Sequence, residues 1–301
     1  MRGVVLEGSS TEEDSIIPMP GINLDGAPHR EPLIIIEPSD RLRAHLQELW
    51  NYRELWYFFA WRDIKVRYKQ TVIGASWAII QPVLTMIVFT VIFGRLADVP
   101  SEGVPYPIFA FTALLPWQFF ATSLVRAVTS VVASSALITK VYFPRLLLPF
   151  SAPACGTVDF SIAFTILLAM MVWFGIEPTW RILTVPLFFL AAAVTAVAAG
   201  LWLSALNAKY RDIGLALPFV VQVWMFASPV AYPVSLLKGD WRLLYSLNPM
   251  VGIIEGFRWA ILGRRHLDVA LLVPAAILIL ALFAGGLVYF RRVERTLPDV
   301  I

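Results

Sequence analysis

Arg62, Lys65 and Lys69 fall at i, i+3 and i+7, and Trp61, Ile64 and Tyr68 fall on the adjoining face. On a helix that spacing separates a basic side from an aromatic-edged one. Asp63 and Arg67, four residues apart, are spaced for an ion pair. The cluster stands immediately before a long apolar run. Clustered Lys and Arg beside aromatics at a membrane edge attract phosphate as readily as they anchor a chain to headgroups. The ledge therefore has two readings, topological anchor or receiver of an anionic, lipid-linked substrate.

Groups for covalent or acid–base chemistry are scarce. His29, His45 and His266 lie on separate segments, no His-Glu-x-x-His run exists, and the single cysteine, Cys155, sits in an apolar stretch as a small buried residue. The Gly-x-x-x-x-Gly-Lys-Ser/Thr stretch of a P-loop is absent, so an energy-consuming activity would draw its ATP hydrolysis from another chain. Only Arg126 and Asp159 are charged within the apolar blocks. Charges at such depth are functional candidates, and these two, near the same ends of consecutive blocks, are also placed to pair as a brace.

The elements that must carry these residues follow from composition. Of 301 residues, 58% are hydrophobic and 15% charged, which excludes a soluble globular domain. A net charge of +3 gives no basis for a nucleic-acid partner. Charge-poor runs at 70–94, 103–125, 146–176, 182–208, 213–237 and 269–290 are each long enough for a crossing of about 20 residues. Backbone amides in lipid must bond internally and no strand-like alternation is present, so the crossings are helices. The expectation is an all-α integral membrane protein with six spans near 71–94, 108–132, 150–176, 182–206, 213–235 and 269–290. The third run, at 31 residues, is long enough to include a lead-in at the membrane surface. Fourteen Lys and Arg flank one side of this arrangement and seven the other, which places both termini in the cytoplasm.

Residues 1–40, acidic and proline-scattered, read as a flexible cytoplasmic extension without the basic start and apolar core of a cleavable signal. Residues 41–70 read as an amphipathic interface helix, with Leu42, Leu46 and Leu49 starting an apolar face that Leu55, Trp56 and Phe59 resume. The segment 134–145, including Ser135, Lys140, Val141, Tyr142 and Phe143, reads as a short surface-parallel helix ended by Pro144 before Arg145. It is either a passive turn or a point where a soluble partner presses on two spans. Residues 241–268 hold two apolar stretches too short to cross, which fit helices dipping back from the outer side, with Asn248 and Pro249 at the bend and Glu255 and Arg258 beyond it. Trp77 and Phe89, Phe111, Trp117 and Phe120, and Trp224, Phe226 and Tyr232 are candidates either for lipid-facing belts or for rings lining a pore along which sugars slide.

The stretches WRDIKVRYKQTVIGASWAIIQPVL (61–84), ITKVYFPRLLLP (138–149), SPVAYP (228–233) and LNPMVGIIEGFRWAIL (247–262) together resemble the permease subunits of polysaccharide ABC exporters, which serve O-antigen, capsule and teichoic-acid export. The resemblance runs from about residue 41 to the end and does not account for 1–40. It implies a type-2 ABC transmembrane domain in the bacterial inner membrane, working as a homodimer with two copies of a separate ATPase that holds ATP and magnesium, and no cofactor in this chain. It further implies that Arg62, Lys65, Arg67, Tyr68 and Lys69 lie on a gate helix beside a lateral opening, that Ser135 and 140–145 form a coupling helix, and that 241–263 form an outer gate. The expected substrate is a lipid-linked polysaccharide met among membrane lipids. An exporter of a drug or small lipid has the same layout, and a membrane-embedded glycosyl- or acyltransferase would need Asp159 or a histidine as an essential group.

Overall fold

The computed structural model describes residues 50–69, 76–236, 240–263 and 267–294. The expected extension 1–40, the first leucines of the interface helix, Lys238, Arg264, Arg265, His266 and Arg295 lie outside them. Among the described residues the chain is helical and has no strand. The helices are α1 (Arg53–Lys69), α2 (Trp77–Phe89, whose last turns widen into i→i+5 pairing over Thr90–Leu96), α3 (Tyr106–Ala133), α4 (Ser135–Ile138), α5 (Leu147–Trp173), α6 (Val185–Lys209), α7 (Asp212–Phe226), α8 (Asp240–Ser246), α9 (Pro249–Leu262) and α10 (Val269–Glu294).

Among the described residues, five helical stretches are long and apolar enough to cross a membrane: Trp77–Leu96, Tyr106–Ala133, Leu147–Trp173, Trp180–Lys209 and Val269–Glu294. The crossing expected over 213–235 is different. Its helix, α7, is 15 residues long, about 22 Å at 1.5 Å per residue, and stops at Phe226. Pro229 explains the stop: it has no N–H to offer, its ring clashes with the carbonyl four residues back, and it disfavours helix at Ser228. A count of uncharged residues does not register this break.

α3 is the central helix and, of the five crossing-length stretches, buries the largest share of its residues, against α5, α6, α9 and α2. Small residues let its neighbours approach closely. A Cβ at Gly156 of α5 would stand 2.9 Å from Ser123 Oγ and 3.1 Å from the Phe119 ring. A Cβ on Gly200 of α6 would meet the Ala127 Cβ at 2.6 Å. That neighbour is a rigid methyl, so the helices themselves would have to part. Gly200→Leu should therefore lower stability by about 1–3 kcal/mol through overpacking, read as an earlier thermal unfolding midpoint in detergent micelles. Gly200→Ala should sit between the two.

The expected helix over 134–145 is largely absent. Only Ser135–Ile138 is helical; from Thr139 the chain turns and then runs without regular structure to Pro144. Val141, Tyr142 and Phe143 are β-branched or aromatic and so weak helix formers, and Phe143 precedes a proline.

Candidate functional site

α1 is docked lengthwise on the first half of α5. Trp56 Nε1 donates to the Phe150 carbonyl at 3.1 Å, and Cys155 Sγ lies 3.9 Å from the Asp63 carbonyl. Arg67 Nη2 pairs with Asp159 Oδ2 at 2.6 Å, while the Tyr68 hydroxyl donates to Asp159 Oδ1. Contacts at 56, 63 and 67–68 against 150, 155 and 159 mean that the two helices run in the same direction. Both partners of the ion pair are largely covered, with 26% and 18% of their side chains exposed. Burial, followed by the bond to Asp159, pushes the Tyr68 hydroxyl above its ordinary pKa, so it remains a donor throughout the physiological range.

Both ion pairs expected from spacing are replaced. Asp63 bonds its neighbour Arg62, at 2.9 Å, instead of Arg67, because Arg67 turns toward α5. Asp159 takes Arg67 and Tyr68 instead of Arg126. Arg62 also lies over the Phe59 ring, 5.1 Å from its centroid. Lys65 and Lys69 are exposed, so the basic ledge reduces to these two lysines plus a partly covered Arg62.

The 139–145 loop touches two helices. Phe143 is buried and packs on Phe59 of α1 with ring centroids 5.5 Å apart. The Arg145 backbone N–H donates to Glu294 Oε1 of α10 at 3.0 Å, and its guanidinium donates to the Glu294 carbonyl. Pro144 is buried, whereas Lys140, Val141 and Tyr142 are exposed and Ser135 is half-buried on α4.

At the opposite end, α8 and α9 occupy the stretches expected for short helices. Asn248 caps α9, its Oδ1 accepting from the Met250 N–H at 3.0 Å with Pro249 at the first helical position. The same oxygen accepts from Trp224 Nε1 at 3.1 Å, and Asn248 Nδ2 donates to the Ala227 carbonyl and Ser228 Oγ. The 227–233 segment after α7 is non-helical and largely buried, with Ala227 exposed and Tyr232 half-buried, which is tolerable at depth only where its carbonyls find donors. Several do: Tyr106 takes Ala231 at 2.6 Å and Arg258 takes Val230 at 3.1 Å, while the Tyr232 hydroxyl returns to Phe226, the last residue of α7, at 2.8 Å. Arg258 is 4% exposed, pairs with Glu255 at 2.9 Å and lies 3.7 Å above the Phe109 ring. Phe109 is a member of this cluster that spacing did not single out, because its role depends on a residue far away in sequence.

The candidate pore aromatics separate into buried, half-buried and exposed groups. Phe89, Phe111, Trp117 and Phe120 are buried within the protomer. Trp117 and Phe120 pack against the half-buried Trp224, at 6.3 and 5.1 Å. Trp77 and Phe226 are 52% and 50% exposed, and Tyr232 is half-buried with its hydroxyl 2.8 Å from that of Tyr245.

Residues 54–262 match the ABC-2 type transporter family. The chain is 29% identical over 253 residues to the O-antigen export system permease protein RfbA of Myxococcus xanthus, covering 83% of this chain and 96% of that protein. It is 25% identical over 243 residues to the polysialic acid transport protein KpsM of Escherichia coli, covering 79% and 93%. It is also 27% identical to the inner membrane transport permease YadH of E. coli strain K12, over 72% of this chain and 87% of that protein.

Proposed function

The chain belongs to the ABC-2 type transporter family, and on that premise we propose that it is the membrane-channel subunit of an exporter that moves a lipid-linked polysaccharide across the cytoplasmic membrane. Members of this family generally work with an ABC ATPase. Here two copies of the chain would form the conduit and two copies of a separate ATPase would drive it. The substrate class is supported by the likeness to an O-antigen permease along nearly the whole length of that protein.

The observation that carries the reading is the docking of a basic helix, α1, along the start of a candidate span. It leaves Lys65 and Lys69 exposed while Arg67 and Tyr68 hold it to Asp159. An anionic lipid carrier arriving along the inner leaflet meets these lysines first. The 139–145 loop is the surface for the ATPase: Lys140, Val141 and Tyr142 are outward, and Phe143 and Arg145 connect that surface to α1 and α10. A push on the loop then displaces the helix that receives the substrate. Asn248, Pro249, Glu255 and Arg258 close the far side by holding α9 to the end of α7.

Each basic residue near an anionic surface contributes about 1 kcal/mol. Lys65→Gln with Lys69→Gln should therefore reduce export roughly tenfold in inverted vesicles containing the ATPase, with insertion unchanged because the other basic residues of the segment remain. Undiminished export would reduce α1 to a membrane anchor. Failure of the solubilised chain to co-purify with a P-loop ATPase would remove the exporter reading altogether.

A further inference from the structure

Unfavourable backbone is concentrated in one stretch, 90–103, which joins α2 to α3. Thr90–Leu96 pairs i→i+5, a winding that is rare beyond single turns and is often found at functional sites. The same pairing continues from the Ala97 N–H to the Ile92 carbonyl at 2.9 Å. Asp98 and Glu102 follow at φ 47° and 58°, the two positive values outside glycine among the described residues. In that left-handed region Cβ crowds the following carbonyl oxygen, a cost that glycine does not carry. Strain of this kind persists only where surrounding contacts impose it.

Those contacts lead to one place, the non-helical chain after α7. Val104 is buried in the core and Val99 packs against it, which pins the loop on both sides of its tip. The Ser235 hydroxyl donates to Glu102 Oε1 at 3.2 Å. Tyr106, at the start of α3, donates its hydroxyl to the Ala231 carbonyl at 2.6 Å. Its ring faces Gly94, where a Cβ would stand 2.8 Å from the Tyr106 Cγ. The backbone of the widened turns therefore bears on the side chain that holds Ala231. Rewinding Thr90–Leu96 to i→i+4 pairing changes the rotation per residue and carries Gly94 off that ring.

We propose that 90–106 is a strained strap that latches the 227–235 segment through Tyr106 and Glu102, and that rewinding of the end of α2 releases it. The strap carries its strain only while latched, so relief of that strain favours release. The inference rests on the exporter reading above and adds to it the element that frees the end of α7, tying that event to the winding of α2.

The test uses the full chain in proteoliposomes loaded with carboxyfluorescein, with passive dye leak as the readout. Tyr106→Phe with Ser235→Ala removes the two latch hydroxyls and keeps the ring on Gly94. It should raise the leak about tenfold, the worth of two hydrogen bonds. If that double variant does not fold, Ser235→Ala alone, at an exposed position, should raise the leak about threefold. The Asp98 side chain is exposed and makes no hydrogen bond or ion pair among the described residues, so Asp98→Gly removes strain without removing a contact. It should raise the thermal unfolding midpoint in micelles and, added to the latch variant, cut its leak about threefold. A loop with no part in opening would gain the stability and leave the leak where it was. Leak unchanged by loss of the hydroxyls, a midpoint that does not rise with Asp98→Gly, or a risen midpoint with no fall in leak each overturns the strap. None of these touches the exporter reading, which stands or falls on co-purification with a P-loop ATPase.

Discussion

Arg67→Glu should lower export a hundredfold or more, and adding Asp159→Arg in the same chain should recover a large part of it. The pair lies at 2.6 Å and is mostly covered, so screening by water and salt is weak. At an effective dielectric near 20, unit charges 4 Å apart interact by about 4 kcal/mol. Reversal replaces attraction by repulsion of comparable size and leaves two carboxylates where the end of α1 meets α5. With about 1.4 kcal/mol per tenfold, loss of the docked helix is expected. The exchange restores opposite charges, though not completely, because an arginine at 159 cannot accept from Tyr68 as Asp159 does. Export into inverted vesicles is the measurement, with protease accessibility of the loops as the check on insertion. A transferase that used the Asp159 carboxylate in catalysis would stay inactive after the exchange. Recovery by charge exchange therefore speaks for a positioning role, and a dead exchange variant with intact insertion speaks against it.

The second large effect is expected where α9 meets the end of α7. Glu255→Ala leaves the Arg258 guanidinium 4% exposed with its carboxylate partner gone. Removing one member of a buried pair typically costs about 3–5 kcal/mol, and here the Phe109 face and the carbonyls of Val230 and Tyr232 remain to offset part of it. Converting both members, Glu255→Leu with Arg258→Met, removes the orphaned charge and should return most of the unfolding midpoint. It should still loosen the 227–233 segment, whose carbonyls then lose their donor. The checks are thermal unfolding in micelles and the passive leak of a small dye from proteoliposomes. A double variant as unstable as Glu255→Ala would show that Arg258 acts through its carbonyl bonds and not through its charge pair.

Much of the architecture was legible because hydrocarbon imposes simple rules. Among the described residues, uncharged length located five helical stretches long enough to cross, and the two short apolar stretches before the last of them match α8 and α9. The same rule set the end of the helix in 213–235 too late, since it stops at Phe226 and prolines 229 and 233 break a helix without adding a charge. The surface segment at 134–145 was read as one helix from its polar start and apolar stripe, but its β-branched and aromatic middle, packed by Phe143 against α1, favours a loop. Spacing also misled at Asp63, Arg67, Arg126 and Asp159. Periodicity along one helix identifies which residues could pair locally, whereas α5 competes for Arg67 from ninety residues away.

Asn248 has a mechanical consequence. One carboxamide holds the start of α9, the indole of Trp224 and two groups at the end of α7. These four links share a single side chain, so they are made or lost together, and partial disengagement strands several polar groups at once. The α7–α9 contact should thus behave as a snap fastener with two rest positions and few intermediates; under the exporter reading proposed above, that would spare the cell a trickle of ions each time a polymer passes.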